Sequence, residues 1–202
     1  MSLSDINDVI KQFPLLEFDS SKGDFFGNLN IDEFDFYKVR ILVGNFPLFF
    51  PKVLEEGERI PRKPSRHINN DGTLCFCTLA KEKILLRKNI RTIPDFINLI
   101  LVPFLTNNSF YEINKTYKNG EYSHGVIGII EGYMDILNIY DEKLLCSTLQ
   151  SRLKNKKYNR NDYCFCGSKI KIKNCHLNNY EDLYLLNSET IRDDIKTIIM
   201  NK

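Results

Sequence analysis

Pro64-Ser65-Arg66-His67-Ile68-Asn69-Asn70-Asp71-Gly72-Thr73-Leu74-Cys75-Phe76-Cys77 is the stretch on which the reading of this chain turns. Pro61 and Pro64 keep its approach out of helix, because proline lacks an amide donor and restricts the residue before it. A turn follows, and Cys75 comes three residues after Gly72, at the start of a new segment. A cysteine so placed is either a nucleophile or a small buried side chain, since cysteine is among the most buried residue types. Local spacing by itself favours the buried reading, so the rest of the chain has to decide.

Upstream, Ser4, Asp5, Ile6, Val9, Ile10 and Phe13 combine a capping residue with helical apolar spacing, and Pro14 stops the run. From Leu15 to Val43 the pattern turns to extended pieces separated by Ser20 to Gly23 and Asn30 to Asp35. Tyr37, Val39 and Ile41 alternate with Lys38 and Arg40, which predicts an antiparallel meander with one wet face. Pro47 and Pro51 confine the next piece to an edge strand or an extended crossing.

Downstream of Cys77, a basic connector is expected, then a buried helix over 93–102 with Pro103 near its middle or end. Residues 120–125 read as a loop. Val126 to Ile139 reads as a helix with Ile127, Ile130, Met134 and Leu137 on one side, and Asp141 caps another through Leu144, Leu145, Leu149 and Leu153. The tail from Tyr180 to Met200 is helical in pattern, and Cys146 is expected in the core.

With 202 residues, 43% of them hydrophobic, the chain can bury a sizeable core. No apolar run approaches the roughly 20 residues of a membrane span, and Met1-Ser2-Leu3-Ser4-Asp5 lacks the features of a secretion signal. The expected location is the cytoplasm, where thiols stay reduced and the six cysteines serve as metal ligands, nucleophiles or core residues. The net charge of +2 hides an asymmetry. Residues 152–174 carry eight Lys or Arg against one acid, Asp162, a segment at +7 that leaves the remainder at −5. Such a segment is either a solvated surface or a meeting place for an acidic protein or nucleic acid. Only Tyr158, Tyr163 and Phe165 offer stacking there, so nucleic acid is not the favoured partner.

Within that segment and its flank, Cys164, Cys166, Cys175 and His176 supply four soft or borderline ligands, the number on which a structural zinc ion closes. Gly167 lets the backbone turn beside the second ligand. A competing four-thiolate set, Cys75, Cys77, Cys164 and Cys166, would leave Cys175 and His176 unused. The Cys-x-Cys-Gly-Ser opening and Cys-His ending resemble the SEC-C motif, the small zinc module at the end of the bacterial preprotein translocase motor. The resemblance implies a bound Zn2+ ion with a structural role and a module that contacts partner proteins.

Across residues 37–77 the order is a strand, a proline-rich extended stretch, His67-Ile68-Asn69 and Gly72-Thr73-Leu74-Cys75. This order resembles the ubiquitin-conjugating enzyme family, in which a meander sheet leads to His-Pro-Asn and then to the cysteine that carries a thioester. Ile68 stands where that family has proline. Ser123-His124-Gly125, followed by Gly128, Glu131 and Tyr133, is similar to short bacterial members of the superfamily associated with anti-phage operons that encode cGAS-like nucleotidyltransferases.

The resemblance implies an α+β, UBC-like antiparallel meander sheet flanked by helices over residues 1–140. A helical linker over 141–160 and a small zinc-bound module with a C-terminal helix over 161–202 follow. It also implies acyl transfer through a thioester on Cys75, with Asn69 (or Asn70) as oxyanion donor, His67 fixing the turn rather than acting as a base, and His124 either in a supporting role near Cys75 or a satisfied loop histidine. The donor would be a ubiquitin-like protein handed over by an activating enzyme, or the C-terminus of a cyclic-nucleotide synthase in antiviral defence. The alternative is a non-catalytic adaptor of the same fold that binds partners through its zinc tail.

Overall fold

The structure is a computed structural model that describes residues 3–118, 120 and 123–201. In the expected loop over 120–125, Glu121 and Tyr122 lie outside the described residues. The protein is α+β. In chain order come α1 (Leu3–Gln12), strands β1 (Leu16–Asp19), β2 (Asp24–Asn30), β3 (Phe36–Leu42) and β4 (Lys52–Glu55), and α2 (Leu79–Lys88). They are followed by α3 (Ile93–Phe96), α4 (Val102–Asn114), α5 (Gly125–Leu137), α6 (Glu142–Leu153), α7 (Leu177–Asp182) and α8 (Ser188–Met200). The chain forms two compact units, one of residues 1–76 with 86–121 and the other of residues 77–85 with 122–202. These units follow packing, whereas the expected spans 1–140, 141–160 and 161–202 follow motifs.

The first unit is built on a four-stranded antiparallel sheet in the order β1-β2-β3-β4. Its register sets Phe25 opposite Ile41, and Ile41 opposite Val53. Alternation works as the sequence predicts: Phe25, Leu29, Tyr37, Val39, Ile41 and Val53 are buried while Lys38 faces water. One further segment departs from expectation. The connector after Cys77 is helical, as α2, because Leu79 to Lys88 is composed of good helix formers and Thr78 Oγ1 accepts from the Lys81 amide at 3.4 Å. Of the two positions open for Pro103, the middle of the helix is the one taken, because the helical run continues to Asn114 through a π-helical turn over Ile97–Leu101. Proline removes one amide donor and crowds the carbonyl four residues back, and the wider turn just ahead of it accommodates both. Thr92 and Asp95 start this helical run with a capping box, and Phe96, Ile97, Leu101 and Leu105 are buried.

The second unit is helical. Ala80 and Ile84 of α2 pack with Ile130, Tyr133, Ile136 and Leu137 of α5, Leu145 and Leu149 of α6, and Ile191 and Ile198 of α8. Asp141 caps α6 as expected, accepting from the Leu144 amide at 2.7 Å. The inward face of α5 centres on Tyr133, so Ile127, expected on that face, is exposed, and Cys146, expected in the core, is only half-buried.

Candidate functional site

The Cys75 turn is a small hairpin added to the outer edge of β4. Leu54 bridges Thr73, and the Leu74 amide donates to the Val53 carbonyl at 2.8 Å, so the edge strand is covered where it would otherwise present unpaired amides. Within the hairpin the Cys75 amide donates to the His67 carbonyl and the Asn69 amide to the Thr73 carbonyl, both at 2.8 Å. Gly72, at φ +84°, closes the turn, and Asp71 accepts from the Thr73 amide at 3.1 Å. Lys52 pairs with Asp71 at 2.8 Å and, with the Thr73 hydroxyl, holds its carboxyl well below the usual range.

This hairpin brings His67, Asn69 and Cys75 onto one short element. His67 adopts the left-handed conformation, φ 55° and ψ 43°, with its amide bonded to the Pro64 carbonyl, and its ring meets the edge of Tyr117 at 5.9 Å between centroids. Asn69 is exposed, and its amide group donates to Thr73 Oγ1 at 3.1 Å. Cys75 is half-buried, and burial pushes its thiol up. Among the described residues no cation offsets that shift, and the raised thiol rests in its neutral form. The next residue, Phe76, reaches the aromatic cluster of Phe96 and Phe104, at 5.4 and 5.2 Å between centroids, and anchors the strand leaving the hairpin. Asn70 is exposed at the tip.

A network that the sequence does not announce holds the near end of the hairpin. Arg66 is buried, its guanidinium lies 4.1 Å from the Tyr111 ring centroid, and it donates to Asn108 Oδ1 at 2.8 Å and to the Tyr117 hydroxyl at 3.1 Å. These partners lie on α4 or just beyond it, far along the chain, and no spacing rule connects them to Arg66.

His124 belongs to the second unit, where it is the N-cap residue of α5. The turn before that helix is held by Glu131, which accepts from the Ser123 amide at 2.6 Å and from its hydroxyl at 3.0 Å. The α5 backbone approaches this turn so closely that a Cβ on Gly128 would lie 1.9 Å from the Ser123 carbonyl oxygen.

Also in the second unit, the ligand atoms of Cys164, Cys166, Cys175 and His176 lie within 4.8 Å of one another and can hold a metal ion. Cys175 and His176 complete this set, so the four-thiolate alternative is not the grouping formed. The first two ligands come from the residue after the isolated Tyr163–Lys171 bridge and the turn that follows it: the Cys164 amide donates to the Ile170 carbonyl at 2.8 Å, and Gly167 turns the chain at φ +79°. The 3-10 turn at Ile172–Asn174 delivers Cys175 and His176, and a small core of Cys164, Ile172 and Leu177 lies beneath. His176 Nδ1 lies 3.0 Å from Cys175 Sγ and 3.3 Å from Cys164 Sγ, while its Nε2 meets the Asn138 carbonyl at 3.2 Å. A carbonyl only accepts, so Nε2 carries the proton and Nδ1 is the ligating nitrogen. Asn138, the left-handed residue ending α5, is a supporting residue that the local motif does not contain. Burial raises the Cys164 thiol, whereas at Cys166 burial is outweighed by hydrogen bonds from Ser168 that lower it.

No helix among the described residues is long and apolar enough to cross a membrane. Comparison of the chain with protein-family models, with curated proteins and with solved structures found no match.

Proposed function

We propose that this protein is a ubiquitin-conjugating-like acyltransferase with a UBC-type fold, carrying a protein C-terminus as a thioester on Cys75. The observation that carries the reading is the hairpin on the β4 edge, which sets Cys75 directly across from His67 at the end of a four-stranded meander. In the proposed reaction the Cys75 thiol loses its proton and its sulfur attacks an activated C-terminal carbonyl. The carbon–sulfur bond forms as the activating group departs. An acceptor amine then attacks, the carbon–sulfur bond breaks, an amide forms and the thiol is restored. Asn69 serves as oxyanion donor by turning its amide from Thr73 toward the carbonyl oxygen, and His67 fixes the turn. The donor is a ubiquitin-like protein, supplied by an activating enzyme, or a cyclic-nucleotide synthase, which places the protein in bacterial antiviral defence in the cytoplasm.

Zinc is the metal that suits the C-terminal cluster. Tetrahedral Zn2+ with sulfurs at about 2.3 Å and a nitrogen at about 2.0 Å sets sulfur–sulfur edges near 3.8 Å and sulfur–nitrogen edges near 3.5 Å. The observed 3.6 Å between Cys166 and Cys175 lies close to that shell, and the 3.0–3.3 Å to His176 Nδ1 would open by a few tenths of an ångström to take the ion. Four protein donors leave no open position, so the ion is structural.

Incubation with the donor and any activating enzyme yields an adduct cleaved by thiols, lost in Cys75→Ala and converted to a thiol-resistant ester in Cys75→Ser. An adduct that survives Cys75→Ala overturns the assignment. The half-buried thiol, pushed up by that burial, favours a second reading, a non-catalytic adaptor of the same fold that binds through the zinc tail. In that case Cys75→Ala functions normally in cells and Cys164→Ser does not.

A further inference from the structure

The metal module presents a cationic face whose composition the thioester reading does not use. Tyr163 and Lys171 are bridged residues on antiparallel segments, and their neighbours Cys164 and Ile172 are buried, so both side chains stand on the solvent side. Tyr163 is 74% exposed, an unusual state for an aromatic ring on a metal-bound module, and Ile170 beside it is 48% exposed. Arg160, Lys169, Lys171 and Lys173 surround the pair and are all exposed. None of these four cations joins an ion pair among the described residues. The one acid of the segment, Asp162, is spent on the backbone, accepting from the Asn159 amide at 2.8 Å.

The sequence alone disfavours nucleic acid here for want of stacking groups, but with Tyr163 exposed beside the cations we infer that the outer face of the metal module binds single-stranded nucleic acid, with a base stacked on Tyr163 and phosphates on Arg160, Lys169, Lys171 and Lys173. Exposed cations alone fit any polyanion. The added feature is an exposed aromatic face on the residue bridged to Lys171, the combination of stacking platform and backbone charge by which single strands are held without sequence preference. A duplex, whose bases are already stacked, has no use for Tyr163. An acidic peptide would use the charges and leave the ring idle. The inference is independent of the chemistry at Cys75, and Cys75→Ala protein binds equally.

The test is fluorescence anisotropy of a labelled oligothymidylate and oligouridylate with the zinc-loaded full chain, repeated from about 50 to about 200 mM salt. Four phosphate contacts give a slope of log affinity against log salt of about −3, and Lys169→Gln/Lys171→Gln/Lys173→Gln flattens it by about 2. Tyr163→Ala weakens binding about tenfold and leaves the slope unchanged. Both variants keep the zinc content of the parent, which separates loss of binding from loss of the module. Absence of binding at the lowest salt, a preference for duplex, displacement by polyglutamate as effective as by unlabelled oligonucleotide, or full affinity in Tyr163→Ala overturns the inference.

Discussion

The amide of Cys75 donates to the carbonyl of His67 at 2.8 Å, which places two residues eight positions apart side by side across a hairpin. The turn between them has its own internal bonds, and the most consequential is the one from the Asn69 amide group to Thr73 Oγ1. In the proposed reaction that bond is exchanged for one to the oxyanion. Asn69→Ala is therefore expected to slow adduct formation about 10²-fold or more. Because Asn69 is exposed, its removal costs only about 1 kcal/mol of stability. Single-turnover kinetics beside urea unfolding checks both, and equal rates in variant and parent would remove Asn69 from the chemistry.

Arg66 anchors the other end of the same hairpin. Arg66→Leu keeps an apolar contact with Tyr111 but leaves Asn108 Oδ1, in a residue 1% exposed, without its donor. The expected loss is about 2–4 kcal/mol by urea unfolding, with partial recovery in Arg66→Lys, whose ammonium keeps the charge but not the planar fork.

Gly128 is a steric prediction. A Cβ 1.9 Å from the Ser123 carbonyl oxygen cannot be accommodated without moving backbone, so Gly128→Ala displaces the turn that Glu131 holds. A loss of about 1–3 kcal/mol is expected in thermal unfolding. Gly125→Ala meets nothing within 4 Å but sits at φ +65°, and it costs less, about 1 kcal/mol.

Removing the metal exposes how the C-terminal module is held. Its own core is little more than Cys164, Ile172 and Leu177. If the proposed ion holds the module, chelation is expected to open it, read as rapid tryptic cleavage between residues 154 and 173 and as release of any metal the protein carries. Mild acid acts in the same direction, since thiolates and imidazole must bind protons to release the ion. Cleavage rates unchanged by chelator would show that the metal does not hold the module.

Asp194 gives a pH dependence. Burial raises its carboxyl, which the Tyr133 hydroxyl only partly offsets by donating at 2.8 Å, and Asp193 raises it further. A group raised in the folded state contributes stability that is fully present below its unfolded value of about 3.9 and is lost as pH rises through the folded value. At neutral pH the buried carboxylate is therefore a cost. Asp194→Asn, whose carbonyl still accepts from Tyr133, raises the unfolding midpoint at pH 7, and the gain shrinks as pH falls toward 4. Differential scanning calorimetry across that range checks the sign.

What the sequence alone determined was whatever is encoded over short distances. Strand alternation at Tyr37, Val39 and Ile41 predicted the meander, because side chains on a pleated strand alternate by geometry. The four residues that can hold a metal fall within thirteen positions, so one turn and one β-bridge suffice to gather them. The placement of Pro103 in the middle of its helical run and the helical state of residues 79–88, expected as a connector, were settled by packing, since tertiary contacts outweigh a single breaking residue or a run of charge. What only the tertiary structure decided lay across long separations. Arg66 meets Asn108 and Tyr117 over 42 and 51 residues, His176 meets Asn138 over 38, and the Cys75 hairpin completes the edge of β4. Such pairs leave no periodic trace, because a hydrogen bond between distant residues depends on where the chain returns and not on the residues between.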